Sequence, residues 1–110
     1  MSLPIVISQR AERDIAFQYE WYLNQAGLEV AERYLLAVDQ TIRNLAEHPD
    51  FGIKRHFQSP ELAGIRSSLV RGAFQKHLVF YRADSELSIV RVMHGARDLP
   101  NRLTEDPNAS

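Results

Sequence analysis

The sequence predicts a two-layer α+β domain in the order β-α-α-β-β-β, with an antiparallel helical hairpin on one face of a mainly antiparallel sheet. Three observations carry this. Two neighbouring stretches of the first half repeat apolar residues at helical spacing. Three runs of the second half are rich in β-branched and aromatic residues. A short β-branched run precedes them all. The 110 residues suit one domain, and 45% apolar with 25% charged residues is a globular composition. Disordered, collagen-like and low-complexity classes are excluded. The domain is expected over residues 1–103, with 104–110 a flexible polar tail.

The elements follow in order. Ile5, Val6 and Ile7 read as a short buried strand. Ser8 is a good N-cap for a helix whose apolar face is Ala11, Ile15, Tyr19, Tyr22 and Ala26. Gly27 stops that helix. A second helix runs from about Glu29 to Glu47, with the stripe Ala31, Tyr34, Leu35, Val38, Ile42 and Leu45. So short a connection makes the pair an antiparallel hairpin. His48-Pro49 ends the second helix, because the residue before proline avoids the α region. Phe51 to Gly64 reads as a loop. Strands are expected over Ile65–Val70, Phe74–Arg82 and Leu87–Met93, with a turn at Asp84-Ser85. The first strand needs a sheet to join, and the hairpin needs a sheet face to cover. The other face is then expected to stay open and to display the basic residues of the strands.

Charge is divided along the chain. Residues 1–52 hold four arginines against eight acids, whereas residues 53–103 hold nine cations against four acids. A basic half suits an anionic partner, either nucleic acid or an acidic protein segment, although arginines on exposed strand faces also serve solubility.

Several chemistries have no support. There is no cysteine, which excludes disulfides, Cys-ligated zinc and Cys nucleophiles and fits the cytoplasm. No apolar run approaches the ~18 residues of a membrane span, and the apolar opening is too short for a signal sequence. The four histidines lie far apart in sequence, and no HxxxH or HExxH spacing marks a metal site. Phosphate-binding glycine loops and GxSxG are absent, so no cofactor is expected. RNA cleavage needs a general base, a general acid and cations on the phosphorane. The candidates are Lys54, Arg55, His56, Arg66, Arg71, Lys76, His77, Tyr81, Arg91, His94 and Arg97. For Tyr81 the stronger reading is core packing with its hydroxyl at the edge. Trp21 is expected to pack in the core or hairpin, and exposure would point to a protein interface.

The chain resembles the RelE/ParE superfamily of small toxins from type II toxin–antitoxin systems, and the ParE branch in particular. The resemblance rests on Ser8-x-x-Ala11-x-x-Asp14-Ile15, Leu45-x-x-His48-Pro49-x-x-Gly52, Gly64-Ile65-Arg66, Val79-Phe80-Tyr81-Arg82 and the closing run Ile89 to Asp98. It implies a cytoplasmic, growth-inhibiting toxin that poisons DNA gyrase by binding and is neutralised by a ParD-like antitoxin. The RelE branch instead cuts mRNA on the ribosome, with several basic residues and a tyrosine near the C-terminus. This chain has no tyrosine after Tyr81, and its last strand ends in His94-Gly95-Ala96-Arg97-Asp98. Lys54, Arg66, Arg71 and His94 are the catalytic candidates under that alternative, the one reading with direct nucleic-acid contact. A non-toxic module that only binds antitoxin is a third alternative. Under the gyrase reading His94 and Arg97 are the target-contacting candidates. Arg66, Arg71, Arg82 and Arg91 are expected to pair with acids on an antitoxin segment that folds on binding.

Overall fold

The computed structural model describes residues 2–95. Strand β1 (Ile5–Ile7) leads into helix α1 (Gln9–Ala26), followed by helix α2 (Leu28–Glu47). Strands β2 (Ile53–Lys54), β3 (Arg66–Leu69), β4 (His77–Ala83) and β5 (Leu87–His94) complete one five-stranded sheet in the order β1-β5-β4-β3-β2. Only β1 is parallel to its neighbour; β2 to β5 pair antiparallel. The predicted fold class is therefore present, with one more strand than the sequence suggested.

The hairpin forms for the reasons its pattern implied. The Ser8 hydroxyl accepts the Ala11 N–H at 3.0 Å and donates to the Val90 carbonyl at 2.8 Å, so one side chain starts α1 and ties it to the sheet. Gly27 sits at φ 95° between the helices, a left-handed conformation that costs glycine nothing, and its N–H closes α1 on the Tyr22 carbonyl at 3.1 Å. Tyr34, Val38, Ile42 and Leu45 of α2 and Ala11 of α1 pack on Val79, Tyr81, Leu87, Ile89 and Val92 of the sheet. Burying each large side chain stabilises the fold by roughly 1.5–3 kcal/mol.

Five expectations are corrected. The 51–64 segment contributes β2 to the sheet edge, with Ile53 opposite Ser67 and Lys54 opposite Arg66. The run from Phe74 begins in a 3-10 turn, Gly72–Phe74, so the strand starts only at His77. β1 is an exposed edge strand, because β5 covers only one of its sides. Leu35 is exposed, and Ala37, Thr41 and Ala46 take places on the buried stripe of α2 instead. The second sheet face is not simply open. Leu62 and Ile65 from the long connection pack there with Leu78, Phe80 and Met93, joined by Phe57 and Val90, as a second small core.

Candidate functional site

The basic residues singled out from the sequence divide between two ends of the sheet. At one end Lys54 faces Arg66 across β2 and β3, and Arg66 faces Tyr81 across β3 and β4. Lys54 is exposed. Arg66 Nη1 donates to the Gly52 carbonyl at 2.8 Å, and its Nη2 lies 3.4 Å from the Asp50 carboxylate. Tyr81 is fully buried; its hydroxyl accepts the Gly52 N–H and donates to the Pro49 carbonyl, both at 2.8 Å. Burial pushes that phenol's pKa up, which suits a packing role rather than proton transfer. Arg82 donates from Nε to the Ala63 carbonyl at 3.0 Å and also to the Glu61 carbonyl, so it clamps the connection over the second core.

At the other end His94 faces His77, their ring centroids 4.8 Å apart and edge-on. His94 is exposed whereas His77 is fully buried. Arg71 follows β3 on this side, its backbone N–H held by the Thr41 hydroxyl at 3.1 Å and its side chain at the surface. Register puts His77 four residues from Tyr81, which is ~13 Å along β4. Lys54 and Arg66 thus stand apart from Arg71 and His94.

Arg91 belongs to neither group. Next to the register slip at Phe80/Tyr81, its guanidinium makes a bidentate pair with Asp14 of α1, Nε–Oδ2 2.7 Å and Nη2–Oδ1 2.9 Å. The Val92 N–H donates to the same carboxylate at 3.1 Å. The pair is buried, with the side chains of Arg91 and Asp14 6% and 14% exposed. Arg97 lies outside the described residues, as do residues 96–110 altogether. Of the remaining candidates, Arg55 donates to the Ser67 hydroxyl at 2.7 Å, and His56 and Lys76 are exposed.

Sequence reading missed the aromatic cluster around His77. Tyr22, Tyr34 and Phe74 all stack within 6.4 Å of its ring centroid, and the Tyr22 hydroxyl meets His77 Nε2 at 2.8 Å. The helical spacing that places Tyr22 and Tyr34 on buried stripes was visible; their common partner 55 residues beyond Tyr22 was not. Burial, then the neighbouring His94, lowers the His77 pKa from 6.5 to about 4. Burial raises both tyrosine hydroxyls, with Asp14 adding to the effect at Tyr34. At neutral pH all three are uncharged. A pH dependence follows. The unfolded chain protonates His77 near 6.5 and the folded chain only near 4, so protons favour unfolding. Stability is expected to fall by ~2–3 kcal/mol between pH 6.5 and 4. Urea midpoints across that window test this, and a His77→Gln variant should lose most of the slope. An equal slope in the variant would assign the dependence to other groups.

Three open clefts lie on the surface of the described residues. One of about 520 Å³ is lined by Tyr22, His77, His94 and residues 72–76. A second of about 550 Å³ lies between α2 and the end of β3. A third of about 310 Å³ lies among Phe17, Gln18, Trp21 and His94. Phe17 and Trp21 are 67% and 50% exposed, which for Trp21 is the interface-like placement rather than core packing. Among the described residues no three His, Asp or Glu side chains come together as a metal site would need, and no helix is long and apolar enough to cross a membrane.

These features define a class: a small α+β protein that displays exposed cations such as Lys54 and Arg71 and exposed apolar side chains such as Phe17 and Trp21. Comparison with known proteins makes the class specific. Residues 5–99 match the family described as ParE toxin of the type II toxin–antitoxin system, parDE. Toxin ParE1 of Caulobacter vibrioides is 33% identical over 91 residues, which cover 83% of this chain and 88% of that protein. The chain belongs to the ParE toxin family of type II toxin–antitoxin systems. A solved structure described as the chromosomal ParDE TA system from P. aeruginosa shares the fold, with TM-score 0.70 at 18% identity over 86% of this chain and 98% of that one.

Proposed function

We propose that this toxin acts by binding DNA gyrase rather than by cutting RNA, and that a ParD-like antitoxin neutralises it in the cytoplasm. One observation supports binding over cleavage. A general base, a general acid and phosphate-holding cations must all reach one phosphodiester within hydrogen-bond distance. The strand positions of Lys54 and Arg66 instead lie ~13 Å along the sheet from that of His94, with Arg71 beyond the far end of β3. Arg66 is also engaged with the Gly52 carbonyl and Asp50. The exposed His94 at the end of β5 remains the target-contacting residue of this reading, together with Arg97 outside the described residues.

The test is a supercoiling and cleavage-complex assay with purified gyrase, run beside a ribosome-programmed mRNA cleavage assay. Stabilised gyrase–DNA cleavage with intact mRNA is the expected result, and His94→Ala should weaken it while the protein stays folded. Cut mRNA with unaffected gyrase would overturn the proposal in favour of the nuclease alternative. Inactivity in both assays, with antitoxin still bound, would favour the non-toxic module.

A further inference from the structure

We propose that residues 96–103 fold back as a strap over the cleft between α1 and the end of β5, with Leu99 seated against Phe17 and Trp21 and Arg97 held beside His94. What the strap serves rests on the target reading above, in which Arg97 and His94 touch the target; whether it docks does not. The first support is where the chain leaves the sheet. His94 is the last residue of β5 and stands opposite His77, the first of β4. Gly95 donates to the Lys76 carbonyl at 2.6 Å and takes φ 76°, a left-handed conformation that bends the chain away from the strand direction. That exit lies at the mouth of the cleft, because His94 lines it together with Phe17, Gln18 and Trp21.

Reach, side chains and charge indicate why this segment fits. Phe17 and Trp21 are one turn apart on α1, ~6 Å along its axis, and both are exposed. Neighbouring exposed aromatic rings of this kind mark a surface that another group covers. Four residues of extended chain span ~13 Å, so Leu99 can arrive at both rings from Gly95. Pro100 biases Leu99 away from the α region and toward that extended form. Arg13 stands exposed one turn before Phe17 on the same side of α1, and Asp98 precedes Leu99. A strap running back along α1 therefore brings opposite charges together. Tethering favours this occupant over others. A segment joined to the rim of the cleft is present there at a millimolar-scale effective concentration, which a second copy or a separate protein matches only through tight binding of its own.

The experiment uses the full chain, in which Trp21 is the single tryptophan. Isotope-edited NMR of the unaltered protein should show proton–proton contacts from the Leu99 methyls to the rings of Phe17 and Trp21. Their absence overturns the strap. Leu99→Ser is expected to shift Trp21 emission to the red and to raise its quenching by acrylamide, with an unchanged circular dichroism spectrum. Should that variant not fold, the contacts in the unaltered chain decide the matter alone. Ring contacts seen only between a labelled and an unlabelled copy would give the cleft to a second copy and overturn the proposal. So would a Leu99 without ring contacts beside a Trp21 that changes only when antitoxin is added. In the gyrase assay Leu99→Ser should weaken cleavage-complex formation in the same direction as Arg97→Ala. If the Leu99 contacts are present and both variants poison gyrase as the unaltered toxin does, the strap stands and the target reading of Arg97 fails.

Discussion

Asp14→Ala is expected to cost ~3–5 kcal/mol, a large share of the ~5–15 kcal/mol that holds a small domain folded. The reason lies in what the carboxylate balances. It accepts two hydrogen bonds from the Arg91 guanidinium and one from the Val92 N–H, in a place where Arg91 is almost completely out of water. Removing the anion takes from the buried Arg91 the carboxylate it pairs with and from the Val92 N–H the acceptor it donates to. Asp14→Asn keeps an acceptor but not the charge, so its loss should be intermediate. A combined Asp14→Leu, Arg91→Met change should recover most of the deficit, because well-packed apolar side chains often replace a buried ion pair at little cost. Guanidinium unfolding midpoints measure all three variants. A midpoint for Asp14→Ala within error of the unaltered protein would show that the pair contributes nothing. The same geometry changes how Arg91 is read. The sequence placed it on an antitoxin-facing surface; buried against Asp14, it ties α1 to β5. Substituting it should lower the amount of folded toxin before it alters any contact.

The parts of the fold that were legible have strong local signals. Both helices repeat over four or more turns, and Ser8, Gly27 and His48-Pro49 punctuate them with side-chain and backbone chemistry that acts within a few residues. The misreadings have equally local causes. β2 is two residues long, below the length at which alternation exists as a pattern. Ile5 to Ile7 carry the β-branched signature of a strand, but nothing local tells whether one or both sides of it will be paired. Phe74 looks like a strand residue because aromatic side chains favour strands, yet it is needed beside Tyr22, Tyr34 and His77. For the candidate site the limit is reach. Counting cations located the basic half of the chain. It did not reveal that Arg66 and Arg82 hold carbonyls of the long connection, or that Arg91 meets an acid 77 residues earlier. Those pairings are made by the fold, and they decide which cations remain for a partner.

Gly52→Ala should be the most damaging small change in the chain for its size, and Tyr81 is the reason. A methyl at Gly52 would lie against the Tyr81 hydroxyl and within 2.8 Å of the ring carbons Cζ and Cε1, closer than any real contact allows. Tyr81 has no room to yield, because it is fully buried among the residues of the main core. Nor can the Gly52 backbone move freely, since its N–H donates to Tyr81, its carbonyl accepts from Arg66, and Pro49 is held by the same hydroxyl. The expected cost is ~3 kcal/mol, read as a melting temperature lower by roughly 10–15 °C. Tyr81→Phe is expected to cost ~1–3 kcal/mol by a different route, leaving the Gly52 N–H and Pro49 carbonyl without their shared partner. The two changes should not add. Removing the hydroxyl takes away the atom the new methyl strikes first, so the double variant should be less destabilised than the sum of the single ones. Thermal unfolding of the three variants tests the coupling, and strict additivity would mean that the close approach of Gly52 to Tyr81 is not what excludes a side chain there. A further consequence reaches the surface. Gly52 anchors the turn that carries Phe51, Ile53 and Lys54, so loosening it should disturb the β3 edge before the helical hairpin notices. Amide exchange would then rise first at Arg55, whose bond to Ile65 is the next rung of that ladder.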